Sequence, residues 1–111
     1  MYDERTRLLQ SGDAFYPGRL YFRGDRFAEF RASIDRVVAF TKTHPVGVIL
    51  GNHIEMTRTP GKDYAMEAPS HPGERRLELA MKDLVELQAT LHAMGDKPVR
   101  QTHDSFIVYP R

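Results

Sequence analysis

Apolar residues recur at intervals of three and four along two stretches of the chain. The members of the first stretch are Phe27, Phe30, Ile34, Val37 and Val38. This spacing predicts an amphipathic helix that follows an N-cap at Asp25 and runs to about Thr43. The helix should end at His44, because Pro45 disfavours a helical backbone in the residue before it.

A second apolar stripe lies in the C-terminal part of the chain. Its members are Leu77, Ala80, Met81, Leu84, Leu87, Leu91 and Met94. The stripe predicts a helix that begins at about Glu74 and is capped by Gly95. Pro98 follows at the distance that is typical after the end of a helix.

Short apolar runs without helical spacing predict strands. One such strand is predicted within residues 5–11 (RTRLLQS), and residues 46–50 (VGVIL) predict a strand that is buried on both faces. Residues 99–101 and 105–109 predict a final strand or hairpin. Because a helix separates the first two strands, at least part of the sheet should be parallel.

These elements predict one α/β (α+β) domain over residues 1–111. It should contain a small mixed sheet with two amphipathic helices on one face, and the other face has no partner among the predicted elements. Residues 51–73 form a proline-containing connection that is unusually long for a compact domain, and such loops are often functional. A surface loop shaped by its prolines is the plainer interpretation.

Composition and charge narrow the possible functions. The chain is 41% hydrophobic and 28% charged with a net charge of +1, which argues against nucleic-acid and anionic-membrane partners. It has no cysteine, so His, Asp or Glu would have to hold any metal. The apolar runs are far shorter than the ~18 residues of a membrane span, and the first residues lack the apolar region of a signal peptide. We therefore expect a cytoplasmic protein.

Two residues capable of binding a metal follow predicted strands directly. Asp13 comes after LLQSG, and His53 comes after VGVILGN. Ligands of α/β sheets bind beyond the carboxyl ends of strands. A carboxylate can bridge two cations, and imidazole is a common nitrogen ligand of zinc. Taken alone, Gly-Asp also fits a turn with an Asx hydrogen bond, and a single histidine also fits an ordinary loop.

Two segments of the chain resemble metal motifs of the metallo-β-lactamase-fold hydrolases. SGDAFYPGRLYF resembles the segment in which a strand of that family ends in Gly-Asp and an extended loop follows. PVGVILGNHIEM resembles the last metal motif of the family, in which a helix leads to a buried strand that ends in Gly-x-His. The resemblance covers nearly the whole chain, and GNHIEMTRTPGKDY is its most particular stretch.

The resemblance implies the C-terminal half of an αββα sandwich and a hydrolytic site with two metal ions, zinc or else iron or manganese. Asp13 would be the bridging ligand, and His53 would complete one coordination sphere. The family's His-x-His-x-Asp-His motif, which its N-terminal half supplies, is absent from this chain. The isolated chain should therefore bind metal weakly and be inactive, because a catalytic zinc usually has three protein ligands.

Three residues near the candidate ligands also qualify for a role in the site. Tyr16 and Arg19 could contact an anionic substrate group, or else be a structural tyrosine and a solvated arginine. Glu55 could orient the imidazole of His53, or else form a salt bridge within the loop.

Three hypotheses follow for the function of the chain. The first is the C-terminal portion, or a truncated gene product, of a metal-dependent hydrolase. The second is a non-catalytic domain that buries its open sheet face in a homodimer, which in one version assembles a metal site between two chains. The third is a small regulatory α/β domain that is unrelated to the family.

Overall fold

The computed structural model describes residues 2–12, 14–51, 53–65, 68, 70–71 and 73–111. Within these ranges the strands are β1 (Tyr2–Asp3), β2 (Leu8–Gly12), β3 (Arg19–Phe22), β4 (Val48–Gly51), β5 (Glu78–Leu79), β6 (Gln101–Thr102) and β7 (Ile107–Pro110). The helices are α1 (Phe27–Thr43) and α2 (Met81–Ala93), and a 3-10 turn at Gly24–Arg26 precedes α1.

The strands form two sheets, where the sequence predicted one. The first sheet has the order β1-β2-β4-β5, and β2 and β4 are parallel as predicted. The second has the order β3-β7-β6, in which β3 and β7 are parallel and the predicted C-terminal hairpin joins β6 to β7. The α+β class is therefore confirmed. The sheet is divided because the chain turns away after β2 and places β3 beside β7, a pairing that strand patterns alone do not specify.

Helix α1 ends where the sequence predicted, but its start differs. Asp25 lies inside the 3-10 turn and pairs with Arg23 at 2.9 Å, so the prediction that it caps α1 is wrong. The 3-10 turn places the start of α1 after Asp25, so that Arg26 occupies the N-cap position and makes no side-chain capping hydrogen bond.

Helix α2 begins at Met81, later than the predicted start near Glu74. The preceding segment is extended because Leu79 pairs with Ile49 across β5 and β4. The carboxylate of Asp83 accepts a hydrogen bond from the backbone N–H of Ala80 at 2.9 Å, which caps the new N-terminus. Gly95 has a φ of +63°, as expected for the residue that ends a helix.

Both helices cover the same face of the sheets. Residues on one face of β2, β3, β4 and β7 form a single buried cluster with residues from α1 and α2. Its members are Leu9, Phe15, Tyr16, Leu20, Phe22, Phe27, Ile34, Val38, Ile49, Leu79, Leu84, Leu87, Leu91, Phe106 and Val108. The predicted placement of two helices on one face agrees with this core.

The opposite face of the β1-β2-β4-β5 sheet is only half-buried. Ile49 is fully buried against the helices, whereas its neighbours Val48 and Leu50, together with Leu8, retain exposed area. The prediction that this strand is buried on both faces is therefore wrong for the described residues. The thickness of 19 Å equals about one sheet and one layer of helices. Neither α1 nor α2 is long and apolar enough to cross a membrane.

A polar contact joins the two helices at the surface. Asp35 of α1 accepts hydrogen bonds from the Nε2 of Gln88 at 3.0 Å and pairs with the Nε2 of His92 at 2.7 Å. These hydrogen bonds, with the charges of His92 and Arg31, hold the pKa of Asp35 below its ordinary value. The ionised carboxylate is therefore favoured in the folded state over the unfolded one.

We predict that Asp35→Asn destabilises the protein at neutral pH by less than about 1 kcal/mol, because the pair is exposed. A folded-state pKa below the unfolded one gives stability that is present above the unfolded pKa and is lost as the pH falls through the folded pKa. The difference between the variant and the parent should therefore shrink below about pH 4. Urea unfolding of both proteins at several pH values measures this difference in the free energy of unfolding. Asp96→Asn is the matched control, and an equal effect of both substitutions would contradict the prediction.

Candidate functional site

The carboxyl ends of β2 and β4 lie side by side. The two strands are parallel, and Gly12 is the register partner of Gly51 after an irregularity in the ladder between Gln10 and Gly12. The hydroxyl of Ser11 donates to the carbonyl oxygens of Phe15 at 2.5 Å and of Leu50 at 3.3 Å. The segments that follow the two strands therefore start from the same edge of the sheet.

The two candidate metal ligands follow these strand ends in the chain. Asp13 lies outside the described residues, directly after Gly12, whose φ of +59° is a conformation that glycine adopts easily. His53 is exposed two residues after Gly51. Its imidazole packs edge-on against the ring of Tyr16, with 5.2 Å between ring centroids.

Tyr16 faces the interior of the protein. Its side chain is buried, and its hydroxyl donates a hydrogen bond to the carbonyl oxygen of Arg19. This hydrogen bond fixes the Tyr16 ring, which packs against the imidazole of His53.

Arg19 is buried, with 4% of its side chain exposed. Its Nη1 pairs with Oε2 of Glu55 at 2.8 Å, and its Nε pairs with Oδ2 of Asp63 at 3.0 Å. The Nη2 donates to the carbonyl oxygen of Tyr64. We call Arg19, Glu55 and Asp63 the Arg19 clamp, because it ties the start of β3 to two points of the connection after β4.

The charge of Arg19 is stabilised within the clamp. Burial acts to lower the pKa of its guanidinium, but a hydrogen bond with Tyr21 and the charges of Glu55 and Asp63 outweigh that effect and raise the pKa. Glu55 contributes both carboxylate oxygens, since Oε1 also accepts the backbone N–H of Arg19 at 2.8 Å. Arg19 therefore donates a hydrogen bond to each oxygen of the Glu55 carboxylate.

Two glycines allow the segment after β2 to pack against the segment after β4. A Cβ atom on Gly51 would lie 2.4 Å from the Cβ of Tyr16 and 2.5 Å from the carbonyl oxygen of Phe15. A Cβ on Gly18 would lie 2.5 Å from Oε1 of Glu55. All three distances are below van der Waals contact. A side chain at position 51 would displace backbone atoms, and one at position 18 would displace the carboxylate of Glu55.

The structure brings Tyr16, Arg19 and Glu55 together with His53 around these strand ends. Sequence analysis missed Asp63 and Tyr64, although both belong to GNHIEMTRTPGKDY, the stretch singled out as the most particular. Their contribution was hidden because they contact Arg19 from more than forty positions away in the chain.

Each of the other histidines contacts a carboxylate or an aromatic ring. His71 stacks on Tyr64 and pairs with Glu74 at 3.2 Å, and His103 pairs with Glu86 at 2.9 Å. His92 belongs to the contact between the helices, and His44 stacks on the ring of Phe40. Within the part of the chain that the structure describes, no three His, Asp or Glu residues form a group that could hold a metal ion.

No protein-family model, curated protein or solved structure matches this chain. The resemblance to the metallo-β-lactamase fold stays a prediction based on the two motifs. The geometry adds that the strands preceding both motif residues are adjacent and parallel.

We predict that Gly51→Ala destabilises the fold by about 1–3 kcal/mol, because the new methyl group meets backbone atoms that must shift. Gly47→Ala is the control, since its Cβ would lie 3.9 Å from its nearest neighbours. Its effect should stay within about 0.5 kcal/mol. Chemical denaturation of both variants checks the difference, and equal stabilities would show that the close approach at Gly51 is relieved at no cost.

Proposed function

We propose that this chain is the C-terminal portion of a metal-dependent hydrolase of the metallo-β-lactamase fold. In this role Asp13 and His53 contribute to a site for two metal ions, zinc or else iron or manganese. The observation that supports the proposal most is the register of Gly12 with Gly51 in adjacent parallel strands. Such a register starts the Asp13 and His53 segments from one edge of the sheet, where α/β proteins bind their ligands.

The residues fit such a site in part. His53 presents an exposed imidazole supported by the ring of Tyr16, which suits a nitrogen ligand. A catalytic zinc usually takes three protein ligands, and the described residues hold no group of three. Under the proposal the remaining ligands come from another polypeptide segment, and this chain alone is inactive.

The chain's own residues would hold and orient the site. Bound metal ions would supply Lewis acidity and lower the pKa of a water molecule for hydrolysis. Gly51 lets the backbone of Tyr16 approach β4, and Tyr16 restricts the ring of His53. Asp13 and His53 are the residues to which we assign metal binding.

We predict weak binding of Mn²⁺ that depends on both residues. Paramagnetic broadening of amide signals should be strongest at Gly12, Gly51 and His53, and both Asp13→Asn and His53→Ala should abolish it there. His92→Ala is the matched control, since His92 and Asp35 form a surface pair of the same donor types. Broadening centred on that pair, or unchanged in His53→Ala, would contradict the proposal.

A second candidate function is self-association through the open sheet face without catalysis. The partly buried Leu8, Val48 and Leu50 on a slab only 19 Å thick favour it. An apolar sheet face of this kind is seldom left to water. A second copy of the chain would bury it across a two-fold axis.

For this candidate we predict a dimer in sedimentation velocity that Leu50→Gln converts to a monomer, because a polar side chain would then enter the interface. Val85→Gln is the control, since Val85 is an exposed residue of α2. A wild-type monomer at all concentrations would exclude self-association. A dimer insensitive to Leu50→Gln would place the interface elsewhere.

A further inference from the structure

The Arg19 clamp is an unusual use of charge in a small protein. Arg19 is 4% exposed, and its partners Glu55 and Asp63 are 22% and 27% exposed. The desolvation cost of buried ion pairs often cancels their attraction, and apolar residues of similar volume can replace them without loss of stability. The property that an apolar replacement could not reproduce is the fixed geometry of the planar guanidinium fork.

One connection runs from the clamp to His53 along the backbone. The N–H of Glu55 donates to the carbonyl oxygen of Pro17 at 2.7 Å, and its carbonyl oxygen accepts the N–H of Tyr64 at 2.9 Å. Its carboxylate is held on both oxygens by Arg19. Because Glu55 is two residues from His53, these contacts anchor the backbone on the C-terminal side of His53.

A second connection runs through side chains. The carbonyl oxygen of Arg19 accepts the hydroxyl of Tyr16, whose ring contacts the imidazole of His53. Arg19 therefore contributes to the position of His53 both through its guanidinium and through its backbone. Gly18 leaves room for the Glu55 carboxylate, since a Cβ at that position would lie 2.5 Å from Oε1.

We infer that Arg19, Glu55 and Asp63 are positioning residues that hold the imidazole of His53 in one orientation for metal binding, an inference that rests on the proposed function. Metal sites typically contain residues that do not bind the metal themselves but orient the side chains that do.

The first test needs no metal. In the parent protein, nuclear Overhauser effects should connect the rings of Tyr16 and His53, and coupling constants should report one side-chain rotamer for His53. Glu55→Gln should lose both the ring contacts and the single rotamer. The glutamine amide has only one oxygen, so it cannot accept the two hydrogen bonds that Arg19 donates to the Glu55 carboxylate. Glu86→Gln is the matched control, because it removes the same charge from the pair with His103.

If Glu55→Gln does not fold, the same measurements are made on Asp63→Asn. This variant is milder because the contacts between Arg19 and Glu55 stay in place. A lower melting temperature with unchanged ring contacts in the variants would mean a purely structural clamp and would overturn the inference. Loss of the ring contacts in Glu55→Gln or Asp63→Asn, with Glu86→Gln unchanged, would support it.

The second test uses Mn²⁺ and separates this inference from the proposed function. Glu55→Gln should weaken the binding that depends on His53 by about 10–100-fold, as is typical for residues that orient a ligand. Glu86→Gln should leave it unchanged. If the parent binds no Mn²⁺ at His53 but Glu55→Gln still loses the ring contacts, the positioning role stands and the proposed function fails. If the parent binds Mn²⁺ and Glu55→Gln binds it equally well, the proposed function stands and the positioning role fails.

Discussion

The parallel pairing of β2 with β4 is the interaction on which the candidate site depends. It is formed across the 17-residue helix α1, which packs against α2 and the sheet and returns the chain to the same edge. Parallel strands end at the same edge of a sheet, so the register of Gly12 with Gly51 brings together two segments that are about forty residues apart. If β4 shifted its register by one residue, Ile49 would leave the core and Gly51 would no longer lie opposite Gly12.

Close backbone packing and buried charge then define the surroundings of His53. Gly51 and Gly18 allow the segment after β2 to lie directly on the segment after β4. The Arg19 clamp ties the start of β3 to the long connection, whose Met56 is fully buried although it lies outside the main core cluster. The described part of the connection is also held by antiparallel bridges between Met56 and Asp63 and between Thr57 and Glu74.

The two candidate functions share one structural cause. Both helices lie on one face of the sheet, so the face that carries Leu8, Val48 and Leu50 is only partly covered. In a metallo-β-lactamase-like sandwich a second sheet would cover such a face and supply further metal ligands. In a homodimer a second copy would cover it. The same partly buried apolar residues would lie under the second sheet in the first case and at the interface in the second.

The sequence by itself determined the elements whose signals are local. The spacing of Phe27, Ile34 and Val38 gave α1 with its correct end, Gly95 ended α2, and the apolar run before Gly51 gave β4. Only the tertiary structure decided the division into two sheets, the extended conformation before Met81, and the burial of Arg19 against Glu55, Asp63 and Tyr64. Helical periodicity and capping act within a few residues, whereas strand pairing and buried ion pairs depend on contacts between distant positions that composition and spacing do not encode.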